Sequence, residues 1–241
     1  MSKDPKAAAA GLSEAFFARL ASLGKRHATD PDVYLVAWNM ESALDPRAIN
    51  PSSGARGLNQ MMPSTLRGLH APADFEQLAG EEQIPWIEKL ITSGEALNGG
   101  PFKTAARYYH SNFFPRTMKR GSAPSAVVVA KGSADPDEVR AYHANASLDL
   151  DHDGRVTVAD LTAWLNSGRS SLRYGAARAR LELAMRASLR GKGVARKGKT
   201  PGDLYVHYQV VLPTGDEPEL KKAIETVTQL GPEDPRRDIK V

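Results

Sequence analysis

Apolar residues recur at helical spacing through most of the first 190 positions, and proline or glycine separates one run from the next. The first run contains Phe16, Leu20 and Leu23 and ends near Gly24. Residues three and four apart share one face of a helix, so each run predicts an amphipathic helix. Further runs predict helices at 64–69, 84–97, 104–109, 136–147, 158–167 and 176–190. The chain is therefore expected to be mainly α-helical.

Length and composition limit the classes of protein to which the chain can belong. With 241 residues, of which 41% are hydrophobic, the chain can form one large or two small domains with a real core. The absence of cysteine excludes disulfides, thiol catalysis and thiolate zinc sites. No apolar stretch is long enough to span a bilayer, and the first residues lack the apolar region of a Sec-type export signal. We expect no membrane association and a cytoplasmic location as synthesised.

Positive charge is concentrated in one region. The net charge is +4, yet residues 167–200 hold ten lysines and arginines against one acid, Glu182. Such a run can bind a polyanion by counterion release. Tyr174 is the only aromatic residue in it, so there is little for nucleic acid bases to stack on. A solvated helix face is the favoured interpretation, and nucleic acid is not expected as a partner.

Residues 40–65, "MESALDPRAINPSSGARGLNQMMPST", carry the most informative motif. Asp30-Pro31 is typical of a helix start, and the helix that follows places Glu41 in its last turn. Proline and glycine then enforce a loop. The ordered identities from Glu41-Ser42 to Met62-Pro63-Ser64-Thr65 resemble the signature of the soluble lytic transglycosylase domain, a lysozyme-like family that cleaves peptidoglycan. Asn59 stands where that family usually has methionine.

This resemblance implies a set of site residues. Glu41 would be the single catalytic acid, and burial would raise its pKa so that it can donate a proton near neutral pH. The family's Ala-Tyr-Asn motif appears here only as residues 106–112, where Tyr108 is expected to face the acid and Tyr109 is the alternative. The substrate-binding set is Ser42, Gly57, Gln60, Tyr108 and Tyr109. Gly57 would let the backbone approach closely. Asp45 is interpreted as a turn residue, and His110 as a surface or capping residue.

The function implied is cleavage of the β-1,4 bond between N-acetylmuramic acid and N-acetylglucosamine, with 1,6-anhydro products and no cofactor for catalysis. A muramidase-type hydrolase and a non-catalytic wall-binding component of a phage tail or injection apparatus are the alternatives. The partner is the peptidoglycan glycan strand. Because no Sec signal is visible, we expect delivery to the cell wall or periplasm by a phage particle, an injection apparatus, lysis or another route.

A second motif predicts a calcium site. Residues 149–160, "DLDHDGRVTVAD", place oxygen ligands and a glycine at EF-hand spacing between two predicted helices, with a dockerin-like aspartate at the last position. The predicted ligands are Asp149, Asp151, Asp153, the Arg155 carbonyl, Thr157 and Asp160. Bound Ca²⁺ would be structural, because a single loop lacks the partner loop of calcium sensors. The alternative is an aspartate-rich turn that only caps the next helix.

The C-terminal part has a different period. Residues 204–212 alternate as in a half-buried strand, and 218–230 predict a helix. Together with residues 189–194 they resemble the end of a DnaJ-type C-terminal domain, and we expect this piece to dock on the first domain or on a protein partner. The predicted organisation is a lysozyme-like domain at 1–175, including the EF-hand-like helix pair, and a basic helix, linker and small αβ tail at 176–241.

Overall fold

The computed structural model describes residues 11–187. Its α-helices are α1 Glu14–Arg26, α2 Asp32–Ser42, α3 Pro63–Gly68, α4 Gly80–Asn98, α5 Ala105–Phe113, α6 Pro136–Ala144, α7 Val158–Gly168 and α8 Leu172–Ala187. Short 3₁₀ helices lie at Phe75–Gln77, Pro115–Arg120 and Ala146–Leu148. The strands are β1 Val127–Ala130 and β2 Arg155–Thr157. This confirms the predicted mainly helical, lysozyme-like fold class.

Helix α2 is the centre of the core. Every residue from Val33 to Trp38 is buried, because α5, α7 and α8 all pack against this helix. A helix that is apolar on all sides is expected in such a position. Its last turn contains Glu41, as the sequence predicts. Helix α2 is therefore held in the core, and its last turn positions the predicted acid.

Helix α1 and helix α8 pack on each other. The first helix begins at a side-chain cap, in which Oγ of Ser13 accepts a hydrogen bond from the backbone N–H of Phe16 at 3.0 Å. Helix α8 buries Tyr174, Ala177 and Leu181 against the core. The predicted domain boundary at residue 175 therefore falls inside α8, which begins at Leu172.

Ion pairs tie α8 to the start of α2. The buried carboxylate of Asp32 accepts hydrogen bonds from the Tyr174 hydroxyl and from Arg169, and Arg178 lies 2.9 Å from it. Arg180 contacts Glu14 at 2.7 Å. Several cations of the basic run are thus paired with acids of the first two helices, so the interpretation of this run as a simple solvated face is too general.

The two strands are a feature that the sequence analysis did not predict. They pair antiparallel, with Ala130 opposite Arg155 and Val129 opposite Val156. Strand β2 leads directly from the acidic loop into α7, and α6 lies before the loop. Helix α6 ends at Ala144, earlier than predicted, and a 3₁₀ turn completes the approach to the loop.

Among the described residues no helix has the length and the apolar character needed to cross a membrane. The predicted strand at 204–212, the helix at 218–230 and the DnaJ-like resemblance lie outside the described residues.

Candidate active site

Glu41 sits where helix α2 is stopped by strained backbone. The two residues after Ser42, Ala43 and Leu44, have φ angles of 56° and 59°, in the left-handed region that non-glycine residues seldom adopt. Each such residue costs about 1–3 kcal/mol. The buried Leu44 side chain and the hydrogen bond from Ala43 N–H to the Asn39 carbonyl hold this conformation. The fold thus fixes the chain direction immediately after the acid.

The Glu41 carboxyl is surrounded by protein atoms while keeping partial contact with solvent. Burial raises the pKa of Glu41 from 4.5 to about 7, because the charged form loses hydration. A hydrogen bond with Tyr109 acts in the opposite direction. A carboxyl with this pKa is partly protonated near neutral pH, so it can give up a proton and later accept one.

Tyr109, not Tyr108, is the tyrosine that hydrogen-bonds to the acid, although the charge of Glu41 also acts on Tyr108. The Tyr109 ring packs against Trp164 of α7 and Phe113, with centroid distances of 4.9 and 5.9 Å. The tyrosine that hydrogen-bonds to Glu41 therefore lies among other aromatic rings. The prediction that Tyr108 faces Glu41 was wrong because α5 is buried on most sides, so that both tyrosines point inward but about 100° apart around the helix.

Tyr108 instead belongs to a buried polar network centred on Asn59. Oδ1 of Asn59 accepts hydrogen bonds from the Tyr108 hydroxyl at 2.7 Å, from Trp38 Nε1 at 3.1 Å and from Asn112 Nδ2 at 3.3 Å. Trp38 belongs to α2, three residues before Glu41, and Tyr108 and Asn112 belong to α5. One oxygen atom therefore links the acid's helix, the glycine-rich loop and the tyrosine helix.

Gly57 lies in a tightly packed part of the glycine-rich loop. It is buried with φ at +75°, and a Cβ there would lie 2.5 Å from Oε1 of Gln83 and 2.7 Å from Phe75. That Gln83 oxygen accepts a hydrogen bond from Leu58 N–H at 2.9 Å. Glycine is needed because the loop packs tightly onto α4. The predicted contact of Gly57 with substrate stays a prediction.

Gln60 follows in the same loop with its side chain fixed. Its Nε2 donates to the carbonyls of Gly57 at 2.9 Å and Ala48 at 3.3 Å, and its backbone is also left-handed, with φ at 42°. Ser42 is buried, and its hydroxyl donates to the Trp38 carbonyl at 3.0 Å. Ser42 can therefore offer a bound molecule only the lone pairs of its oxygen. Asp45 accepts from Arg47 N–H at 2.9 Å, which confirms its interpretation as a turn residue.

A cleft pocket of about 270 Å³ adjoins this cluster. Its walls include Asn59, Gln60 and Asn112 together with apolar residues, while Glu41 is not among the lining residues. Helix α5 contributes to both places, since Asn112 lines the pocket and Tyr109, three residues earlier, hydrogen-bonds to Glu41. A larger and more open depression of about 930 Å³ lies beside β1 and the acidic loop and does not include the Glu41 cluster.

His110 is a core residue, so the expectation of a surface or capping histidine was wrong. It is fully buried, with Nε2 2.8 Å from Oγ1 of Thr117 and Nδ1 3.3 Å from Arg107. Burial lowers its pKa to about 4, and the positive charges of Arg107 and Arg120 act in the same direction. Arg107 also donates to the carbonyls of Gly121 and Met118. These contacts hold the segment after α5 in place, and they give His110 a structural role.

The acidic loop brings three of its predicted ligands together. One carboxylate oxygen each from Asp149, Asp151 and Asp153 lies within 4.8 Å of the others, and Gly154 has the positive φ, 85°, of a sharp turn. Thr157 and Asp160 form a capping box at the start of α7, in which Asp160 Oδ2 accepts from Thr157 N–H at 2.8 Å. Arg155 belongs to strand β2. The arrangement contains both a cluster of oxygen donors and the predicted helix cap.

The site thus combines a single, largely buried carboxyl at a helix end with a nearby pocket that has fixed amide groups. A family model described as Transglycosylase SLT domain matches residues 21–80. No curated protein and no solved structure matches the chain significantly. The match supports the predicted resemblance for this part of the chain and, with it, an enzyme that acts on peptidoglycan. It extends neither to the acidic loop nor to residues 176–241, so the two other resemblances stay predictions.

Three residues of this site were missed by the sequence analysis. Trp38 and Trp164 are apolar residues at helical spacing, which periodicity assigns only to the core. Asn59 was noted as a departure from the family pattern and given no role. A polar residue at an expected apolar position was the available signal, because such a residue needs hydrogen-bond partners when it is buried.

Proposed function

We propose that this protein is a peptidoglycan lytic transglycosylase that cleaves the β-1,4 bond between N-acetylmuramic acid and N-acetylglucosamine. The single observation that carries the proposal is the buried Glu41 carboxyl, whose pKa is raised to about 7. The family match at residues 21–80 contains this residue and supports the substrate class.

In the first step protonated Glu41 gives its proton to the glycosidic oxygen as the C1–O bond breaks. The N-acetylglucosamine side leaves with that proton as a hydroxyl. The sugar cation left at C1 is stabilised by the substrate's own acetamido oxygen, as in substrate-assisted glycosidases. Tyr109 hydrogen-bonds to the Glu41 carboxyl and so stabilises the carboxylate that remains.

In the second step the Glu41 carboxylate takes the proton from the C6 hydroxyl of the same sugar while O6 bonds to C1. This forms a 1,6-anhydro ring, restores the acid and consumes no water. Glu41 acts as acid and then as base, and a pKa near the working pH suits both tasks.

The absence of a nearby second carboxylate favours this route over ordinary hydrolysis. Within residues 11–187 no other acid contributes to the pKa of Glu41. Most glycosidases place two carboxyls about 5–10 Å apart, one as acid and one as nucleophile or base. Asp45 is exposed and holds a turn, so it does not supply the second group.

The test is to incubate the purified protein with peptidoglycan sacculi and identify the released muropeptides by mass spectrometry. We expect anhydro products from the wild type, none from Glu41→Gln, and nearly wild-type release from Asp45→Asn as the matched control. Products heavier by one water molecule would support the muramidase alternative. No release by a folded wild type, with calcium present, would contradict the enzyme and favour a non-catalytic wall-binding component.

The loop at 149–160 is a candidate for structural Ca²⁺. Hard oxygen donors on three clustered aspartates fit this ion, and the glycine turn fits an EF-hand-like loop. Bound calcium would relieve repulsion among the carboxylates and join α6 to α7. Its role would lie in stability and not in the reaction at Glu41.

The calcium proposal is tested by thermal unfolding after removal of metal with a chelator. Added Ca²⁺ should raise the Tm of the wild type and of Glu41→Gln alike, and Asp151→Ala should abolish the rise. A Tm that does not respond to Ca²⁺ in the wild type would mean that the cluster acts only as a polar cap for α7.

A further inference from the structure

Two amide side chains that line the cleft, Asn59 and Gln60, have orientations fixed by their hydrogen bonds. Trp38 Nε1 is only ever a donor, so the Asn59 atom 3.1 Å from it must be the oxygen Oδ1. The Gln60 atom that contacts the Gly57 and Ala48 carbonyls must be the nitrogen Nε2, because carbonyls only accept. The contacts of the fold, rather than the ligand, thus decide which end of each amide is free.

The free ends are one donor and one acceptor. Asn59 Nδ2 and Gln60 Oε1 make no hydrogen bond within residues 11–187, and neither is among the fully buried atoms that lack a partner. Each atom therefore keeps at least a small exposed area, although Asn59 as a whole is only 6% exposed, and both residues line the 270 Å³ cleft pocket. The cleft offers an N–H donor and an oxygen acceptor from adjacent residues.

The same pocket has an apolar wall. Met62 and Leu97 line it and are 44% and 56% exposed. An acetamido group has a carbonyl acceptor, an N–H donor and a methyl group. The free amide ends match its polar atoms, and the exposed apolar side chains match its methyl.

We propose that Asn59, together with Gln60, selects N-acetylated sugars by binding the acetamido group of one residue of the glycan strand. Asn59 Nδ2 donates to the acetamido carbonyl, and Gln60 Oε1 accepts from its N–H. The inference rests on the proposed function for the identity of the glycan, and it gives Asn59 a role in substrate specificity. Methionine at this position would lack both the donor and the strong acceptor that holds Trp38 and Tyr108.

The experiment uses the Glu41→Gln chain, which does not cleave, and two probes of equal length: a β-1,4 N-acetylglucosamine tetramer and the same tetramer without acetyl groups. We expect tighter binding of the acetylated tetramer in calorimetry. Adding Asn59→Asp keeps the oxygen that Trp38 and Tyr108 need and replaces the free NH₂ with oxygen. It should weaken binding of the acetylated tetramer about tenfold, the equivalent of one hydrogen bond, without weakening binding of the other.

Unchanged binding of both tetramers, or an equal loss for both, would overturn the inference. If Asn59→Asp does not fold, side-chain amide signals in nitrogen-15 NMR of Glu41→Gln give the answer. The Asn59 NH₂ signal should shift with the acetylated tetramer alone, and a shift with both or with neither contradicts the proposal. These readouts do not need cleavage, so they are separate from the muropeptide test. Anhydro products with no effect of Asn59→Asp would leave the enzyme standing and refute the role of Asn59.

Discussion

Replacing Glu41 by glutamine should stabilise the protein in a pH-dependent way. The folded-state pKa of Glu41 is raised from 4.5 to about 7, so the folded state holds its proton more tightly than the unfolded chain does. Its contribution to stability is therefore complete below about pH 4.5 and is lost as the pH rises through 7. Glutamine has nearly the same shape and never ionises, so it avoids this loss.

The magnitude follows from the difference between the two pKa values. One pKa unit corresponds to about 1.4 kcal/mol, so the step from 4.5 to about 7 amounts to about 3 kcal/mol at alkaline pH. For a domain of this size that equals roughly 6–12 °C in Tm. We expect Glu41→Gln and the wild type to differ little at pH 4 and to separate progressively up to pH 8.

Differential scanning calorimetry of both proteins from pH 4 to 8 provides the measurement. Glu88→Gln is the matched control, because the hydrogen bond with Arg26 lowers the pKa of Glu88 and the expected sign is opposite. That variant should lose stability relative to the wild type as the pH rises. If the Tm difference for Glu41→Gln is the same at every pH, the acid is not desolvated and the argument for its catalytic role loses its physical basis.

Three further predictions concern the surroundings of the site. Tyr109→Phe removes a hydrogen bond that lowers the pKa of Glu41, so the alkaline limb of the pH profile of kcat should move to higher pH. The value of kcat should fall roughly ten- to hundredfold. If the alkaline limb does not move, the hydrogen bond between Tyr109 and Glu41 is contradicted. As the pH falls from 6.5 to about 4, the wild type should lose about 3 kcal/mol of unfolding free energy, because the buried His110 resists protonation, and His110→Gln should not show this loss. Urea unfolding of both proteins at pH 7 and 4.5 gives the comparison. An equal loss in both proteins would refute the prediction. Asp32→Asn should lower the free energy of unfolding by about 3 kcal/mol, because Arg169 and Arg178 lose their shared partner. Hydrogen-exchange protection should fall first in α8. A uniform loss of protection would argue against Asp32 as the residue that holds α8 on α2.

The opposite signs at Glu41 and His110 explain why single variants are needed. Glu41 makes the fold less stable as the pH rises from 4.5 to 7, whereas His110 makes it more stable between 4 and 6.5. The two effects nearly cancel in the wild type. A flat pH profile of the wild type is therefore compatible with both groups being strongly perturbed.

Much of the helical fold was predictable because local signals define it. Apolar spacing located most helices, and the Asp30-Pro31 start and the following loop residues placed Glu41 in the last turn of α2. The strands were not predictable in the same way. Four and three residues are too few for a period-two pattern, and β1 and β2 are held by each other and not by their own composition.

The tyrosine pair illustrates what a local pattern leaves open. Both Tyr108 and Tyr109 are buried, so burial alone does not decide which one reaches Glu41. The choice depends on Trp38 and Asn59, which engage Tyr108, and on Trp164, which packs against Tyr109. These partners come from three separate elements, and the sequence around residue 108 contains no record of them.

The aromatic residues next to Glu41 lie far along the chain from it, which matters for any attempt to transfer the site to another protein. The segment that matches the family model, residues 21–80, includes Glu41 and Gln60 but neither Tyr109 nor Trp164. A fragment or graft built on that segment would lack the Tyr109 hydroxyl that hydrogen-bonds to Glu41 and the Trp164 ring that packs against Tyr109. The smallest portable unit of this site therefore extends at least to the end of α7 at Gly168.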